Sequence, residues 1–165
     1  GAHLRDRTPG RALAGFTVLV FATATSGAFV AGLRAGKIYN SFPLMGAGIV
    51  PAEYGQLSPW WRNLFENPSA VQFNHRLIAM TTLVTAILLW KAFRKADARF
   101  RWRMNLVLAA ALFQVALGIT TLLASVPVWL GVAHQGGALL LLTAALLALH
   151  AARPERGRPA LSSLP

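Results

Sequence analysis

Two histidines carry the main chemical signal of this chain. His75 stands in Phe73-Asn74-His75-Arg76 and His134 in Ala133-His134-Gln135, each inside a long apolar stretch. There is no Cys, so there is no disulfide, no thiolate nucleophile and no iron–sulfur cluster. Any metal or cofactor would be held by His, Met or oxygen. An imidazole inside an apolar span is a functional suspicion by default. The plain alternative is one interhelical hydrogen bond for each ring. Two imidazoles at one depth can clamp the iron of a planar macrocycle, which takes an axial His through one ring nitrogen. Zinc fits less well, because it wants three or four ligands and no acid lies near either His in the apolar runs. His3 lies in the N-terminal tail and His150 ends the last apolar run. Neither is given a chemical role.

Whether the pair shares a depth depends on the elements that hold it. Of 165 residues, 55 % are hydrophobic and 13 % charged, with a mean hydropathy of +0.50. A soluble domain carries about 25 % charge, so the composition is that of a membrane protein and not of a disordered, collagen-like or coiled-coil chain. A spanning helix needs about 20 mostly apolar residues. Four such spans are expected: 12–33, 71–90, 104–124 and 128–151. The first is too long for a secretory signal, whose apolar core runs about 7–15 residues. The last two come from one uncharged run that Ser125-Val126-Pro127 divides into a hairpin, since proline ends helices. The expected fold class is all-α, an integral membrane four-helix bundle forming a single domain over residues 1–165.

The charge is +11. Such an excess could signal nucleic acid, but the basic residues flank apolar runs as membrane anchors do, so no nucleic-acid partner is expected. Twelve of the sixteen Lys and Arg fall in the N-terminal tail, between spans two and three, and at the C-terminus. The positive-inside rule then puts both termini in the cytoplasm. The opposite side bears one long connection, 35–70, with four Pro and six aromatic residues. A long ordered loop is usually functional, whereas its aromatics also fit a headgroup belt.

On this plan His75 and His134 each sit shortly inside the outer start of a span. At about 1.5 Å per residue they lie within a few Å of one depth. The two hairpins form a weak repeat, each with Gly in the outer half of its first span (Gly27 and Gly32; Gly118) and an early His in its second. An axis along the membrane normal would turn the two rings toward each other. Gly136 and Gly137 follow His134 and would leave flat space for a macrocycle, although small residues also serve ordinary helix packing. Arg76, Arg62, Arg34 and Lys37 lie on the same side. They could pair with haem propionates or snorkel to headgroups; Arg76 sits deepest.

At these residues the chain resembles a known family. The strings GAFVAGLRAGKIYNSFPLM (27–45), PWWRNLFENPSAVQFNHRL (59–77), LFQVALGITTLL (112–123) and GVAHQGGALLLL (131–142) are similar to the haem A synthase family. The resemblance runs from about Arg5 to Ala151. It implies an oxidoreductase of cytochrome oxidase assembly in the bacterial plasma (inner) membrane that oxidises a methyl group of haem O to the formyl group of haem A. Members look like two fused four-helix halves, and this chain resembles the C-terminal one. By motif, His75 and His134 match that half's axial ligands to haem b; Arg76, chosen for its depth, is the expected cofactor-binding cation beside them. The catalytic half carries a glutamate one turn before a ligand His, where this chain has Gln72. Gln takes up no proton near neutral pH, so catalysis is expected in a partner half or in a homodimer. Residue 1 is Gly rather than Met, which fits a fragment of a longer chain. The rival readings are a b-type cytochrome exchanging electrons with quinone and a cofactor-free assembly protein.

Overall fold

The structure is a computed structural model that describes residues 8–152. The histidine-bearing helices are α2 (Pro68–Phe93) and α4 (Val128–Ala151), and each is preceded by a partner, α1 (Thr8–Gly32) or α3 (Ala98–Leu123). All four are long and apolar enough to cross a membrane. Among the described residues there is no strand, only an isolated bridge between Met45 and Gly48.

Local chemistry sets the ends. The Asn67 side chain accepts from the backbone N–H groups of Ser69 and Ala70, with Pro68 opening α2. An Asn cap followed by a proline that needs no donor is a strong helix start. Asp97 caps α3 by accepting from the Phe100 N–H at 3.0 Å. The α3–α4 turn is tight, and Ser125 (φ 61°) and Val126 (φ 58°) are both left-handed. That region is costly for a β-branched residue, about 1–3 kcal/mol. The turn is held by the Val126 N–H on the Thr121 carbonyl at 2.9 Å, and Asn40 ties Leu122 to the 33–67 connection at 3.0 Å.

The helices overrun the expected spans where α2 meets α3. Lys91, Arg99, Arg101 and Arg103 sit on the helices themselves, and the connection proper is only Arg94–Asp97. Hydropathy ends where charge begins, but helical hydrogen bonding does not, and long basic side chains can reach back to the headgroups. The tail and C-terminal arginines 5, 7, 153, 156 and 158 lie outside the described residues, as does His3.

Each helix packs on its chain neighbours, and α1 closes the ring against α4. The main cluster of large apolar side chains lies in one half of the bundle. Leu13, Phe16, Val20, Phe100, Met104, Val107 and Leu141 cluster there with small residues such as Ala86 and Ala145. These positions belong to the end away from the histidines. Thr23 and Thr82, joined hydroxyl to hydroxyl at 2.7 Å, lie between this cluster and the histidines.

Candidate functional site

His75 is the eighth residue of α2 and His134 the seventh of α4, so both rings belong to one end of the bundle, roughly 10 Å in from their helix starts. Each is seated on a glycine of the preceding helix. A Cβ on Gly27 of α1 would stand 3.1 Å from His75 Cε1, and one on Gly118 of α3 would stand 2.8 Å from His134 Cε1. These two glycines therefore make room for the imidazoles. Gly32 and Gly136 face open space, and Gly137 makes room for the Gln114 amide, whose Oε1 would lie 2.2 Å from an added Cβ.

Each ring has a polar partner on its Nδ1. Ser26 Oγ lies 2.8 Å from His75 Nδ1 and 2.8 Å from the Thr23 carbonyl. A carbonyl only accepts, and a serine has one proton to give. The hydroxyl donates to Thr23, so His75 Nδ1–H donates to Ser26. This relay fixes the neutral tautomer whose lone pair is on Nε2. On the other side Gln114 Nε2 donates to the His134 carbonyl at 2.8 Å and lies 3.2 Å from His134 Nδ1. Here Nδ1 accepts, which leaves the proton on Nε2. Reversing the amide would let Oε1 accept from Nδ1–H but would set it against the His134 carbonyl. Neither orientation satisfies every atom.

Arg76 is turned to the 33–67 connection. Its guanidinium donates to the Tyr39 carbonyl at 2.9 Å and reaches the Leu44 carbonyl at 3.5 Å. Gln72, the residue in place of a carboxylate, donates to the same Tyr39 carbonyl at 3.0 Å. Arg62 is engaged by Glu66 through Nη2 at 2.6 Å and Nε at 2.9 Å. Arg34 and Lys37 are exposed. Gln72 Oε1, Arg76 Nε and Gln114 Oε1 are buried without a hydrogen-bond partner. Buried polar atoms are rarely left so, and all three belong to residues within one helical turn of a histidine or bonded to one.

The connection itself is ordered by side chains. Asn63 bridges to the Leu57 and Trp60 carbonyls, and Asn67 donates to the Glu53 carbonyl at 2.6 Å. Tyr54 donates to Asn74, next to His75, at 3.0 Å. Tyr39 donates to Glu53 Oε2 at 2.5 Å. That bond holds the Glu53 carboxyl below its usual range and raises the Tyr39 phenol above its own. Trp60, Trp61 and Phe65 are exposed, as headgroup-level aromatics are. Sequence reasoning singled out both histidines and Arg76. It missed Ser26, Gln114 and the contact of Arg76 with Tyr39.

Comparison with known proteins now bears on this site. The family model described as cytochrome oxidase assembly protein (COX15-CtaA) matches residues 4–146. This chain belongs to that family. It is 47 % identical over 143 residues to a protein of Nitrosospira multiformis named heme A synthase, covering 84 % of this chain and 40 % of the relative. It is 50 % identical over 130 residues to Heme A synthase COX15 of Homo sapiens, covering 78 % of this chain and 32 % of the relative. The Arabidopsis thaliana protein of the same name is 45 % identical over 152 residues, covering 90 % and 33 %. The chain thus spans less than half the length of these relatives. No solved structure matches it. Membership of this family and four spanning helices make the chain a multi-pass integral membrane protein.

Proposed function

We propose that this chain is the haem b-binding half of a haem A synthase, with His75 and His134 as the two axial ligands. The reading draws on the relatives' names and on the correspondence of the two glycine-seated histidines. Both imidazoles sit at the same end of the bundle, and His75 donates its Nδ1–H to a polar partner as metal-bound histidines do; His134 would take up the same arrangement once the Gln114 amide turned over. The residues fit the group in a second respect. Three buried polar atoms beside the pair lack partners, and the main apolar cluster lies in the other half of the bundle.

A bound haem b would supply one-electron transfer at its iron. The chain's own part is to hold and orient. Ser26 and Thr23 keep the Nε2 lone pair of His75 available, and Gln114 sets the rotation of His134. Arg76 and Gln72 hold Tyr39 at the edge of the site through its carbonyl, and the unpartnered Arg76 Nε–H is a donor available to a propionate. Gln72 takes up no proton near neutral pH, so no acid–base step is assigned here. The oxidation of haem O to haem A, for a cytochrome oxidase, belongs to a second four-helix half or to a second copy of this chain. Within this reading residues 1–165 form one four-span domain with both termini in the cytoplasm of a bacterial cell.

The test is a reduced-minus-oxidised visible spectrum of the chain in mild detergent, with pyridine haemochrome typing. A low-spin b-type signal that is lost in both His75→Ala and His134→Ala supports the pairing. An unchanged low-spin spectrum in both variants overturns it. A haem A signal would instead assign the oxidation to this chain itself.

A further inference from the structure

At the end of the bundle opposite the histidines, α2 and α3 enclose a half-open cleft lined by Trp90, Phe93, Arg94, Arg101, Met104 and Asn105. Its frame is fixed. Trp90 Nε1 donates to Asn105 Oδ1 at 2.8 Å across the two helices. Phe93 and Phe100 pack edge to face at 5.3 Å, and Met104 is 1 % exposed. Two guanidinium groups stand in it without a carboxylate. Arg101 reaches only the Ala96 carbonyl at 3.5 Å, and Arg94 makes no ion pair among the described residues, where the one salt bridge is Arg62–Glu66 at the other end. The single acid between Lys91 and Arg103 is Asp97, which caps the Phe100 N–H through Oδ1 and makes no ion pair with either arginine. Because Trp90 occupies the Asn105 carbonyl, the Asn105 amide is left with N–H donors to offer.

We propose that this cleft binds the phosphodiester headgroup of an anionic glycerophospholipid. Paired guanidinium groups match phosphate oxygens in charge and fork geometry. An aromatic wall and an interfacial depth match the glycerol region, and basic pockets between spanning helices suit anionic lipid. The next residues toward the membrane centre, Leu88 and Leu106, are exposed apolar side chains against which acyl chains can lie. A diffuse positive surface would need no cleft and would use Lys95 and Arg99 equally well. The cleft therefore makes a sharper claim, that Arg94 and Arg101 matter and their equally charged neighbours do not.

The experiment is native mass spectrometry of the full chain after exchange into detergent with phosphatidylglycerol or phosphatidylcholine. The expected result is one retained phosphatidylglycerol per chain and no retained phosphatidylcholine. Retention should fall by about tenfold or more, the loss of a charge-assisted contact, in the double variant Arg94→Gln/Arg101→Gln. It should hold in Lys95→Gln/Arg99→Gln, which removes the same charge. Asn105→Asp, a surface change that keeps the Trp90 bond, should also lower retention by setting a carboxylate against the phosphate. Helix content by circular dichroism separates these effects from misfolding. Equal losses in the two double variants overturn the proposal, and so does displacement of the lipid by millimolar inorganic phosphate, which would make this a free-phosphate site.

Discussion

The two hairpins present the same motif on different supports. In α1–α2 the histidine ring lies on Gly27, and the helices are joined by a 35-residue connection that Asn63, Asn67, Tyr39 and Arg76 order. In α3–α4 the ring lies on Gly118, and the helices are joined by a turn so short that Ser125 and Val126 adopt left-handed backbone. The seat therefore comes from helix packing and not from the connection. What differs is the hold on Nδ1. A serine relay gives His75 one defined tautomer, whereas Gln114 donates to His134 and leaves its own Oε1 unpartnered. If iron is bound through Nε2, the second site must move a proton to Nδ1 and readjust its amide, and the first need not.

The strongest way to break the comparison is at the seats. Gly118→Ala puts a Cβ 2.8 Å from the ring, and Gly27→Ala puts one at 3.1 Å. Overpacking costs about 1–3 kcal/mol, against a helix-propensity gain of about 1 kcal/mol for Ala over Gly. Gly118→Ala is expected to lower the melting temperature in detergent and, on the proposed haem-binding reading, to lose most of the haem. Gly27→Ala should leave the melting temperature nearly unchanged with a smaller loss of haem. The reverse order would show that the closeness of each glycine to its ring does not govern the effect.

A smaller effect is expected at the hydrogen-bond partners. Ser26→Ala removes the acceptor of His75 Nδ1–H and should weaken haem retention about 10-fold, the low end for a partner of a metal-bound histidine. Gln114→Glu supplies an acceptor to His134 Nδ1–H and should lower the reduction potential, because a carboxylate makes its imidazole a stronger donor. Gln114→Leu should not lower it. Equal potentials in Gln114→Glu and Gln114→Leu would remove Gln114 from the account. Both readings come from a redox titration followed at the haem bands.

The smallest effect separates the connections. Glu53, with its pKa lowered by the Tyr39 bond, stabilises the 33–67 segment above its unfolded value near 4.5 and loses that contribution as pH falls through its lower folded value. Tyr39, with its pKa raised, contributes below 10.0 and loses that contribution as pH rises through its higher folded value. Amide exchange in the 33–67 connection should accelerate at both extremes, and the α3–α4 turn, which holds no titratable side chain, should not follow. Tyr39→Phe should flatten both limbs.

Part of the site was legible in the sequence because part of it is local. Counting eight residues to either side of Val126 pairs Gly118 with His134 across the short turn, so that seat was open to arithmetic. No such count pairs Gly27 with His75 across 35 intervening connection residues. Gln114 was legible only as one polar residue of an apolar helix, and its rotation toward His134 depends on how α3 meets α4. Arg76 was read as a cation facing a ligand, yet its Nη groups are taken by backbone carbonyls that only the folded connection brings within reach.

By itself the sequence determined four apolar helices, the excess of basic residues at one end and the common depth of two histidines. Those properties follow from side-chain transfer energies and a fixed helical rise, which are read one span at a time. The tertiary structure alone decided which glycine seats which ring, which nitrogen of His75 keeps its lone pair, and that Trp90 and Asn105 frame a cleft with two arginines that make no ion pair among the described residues. These depend on the rotation of each helix about its axis, which is set by packing against neighbours far away in the chain.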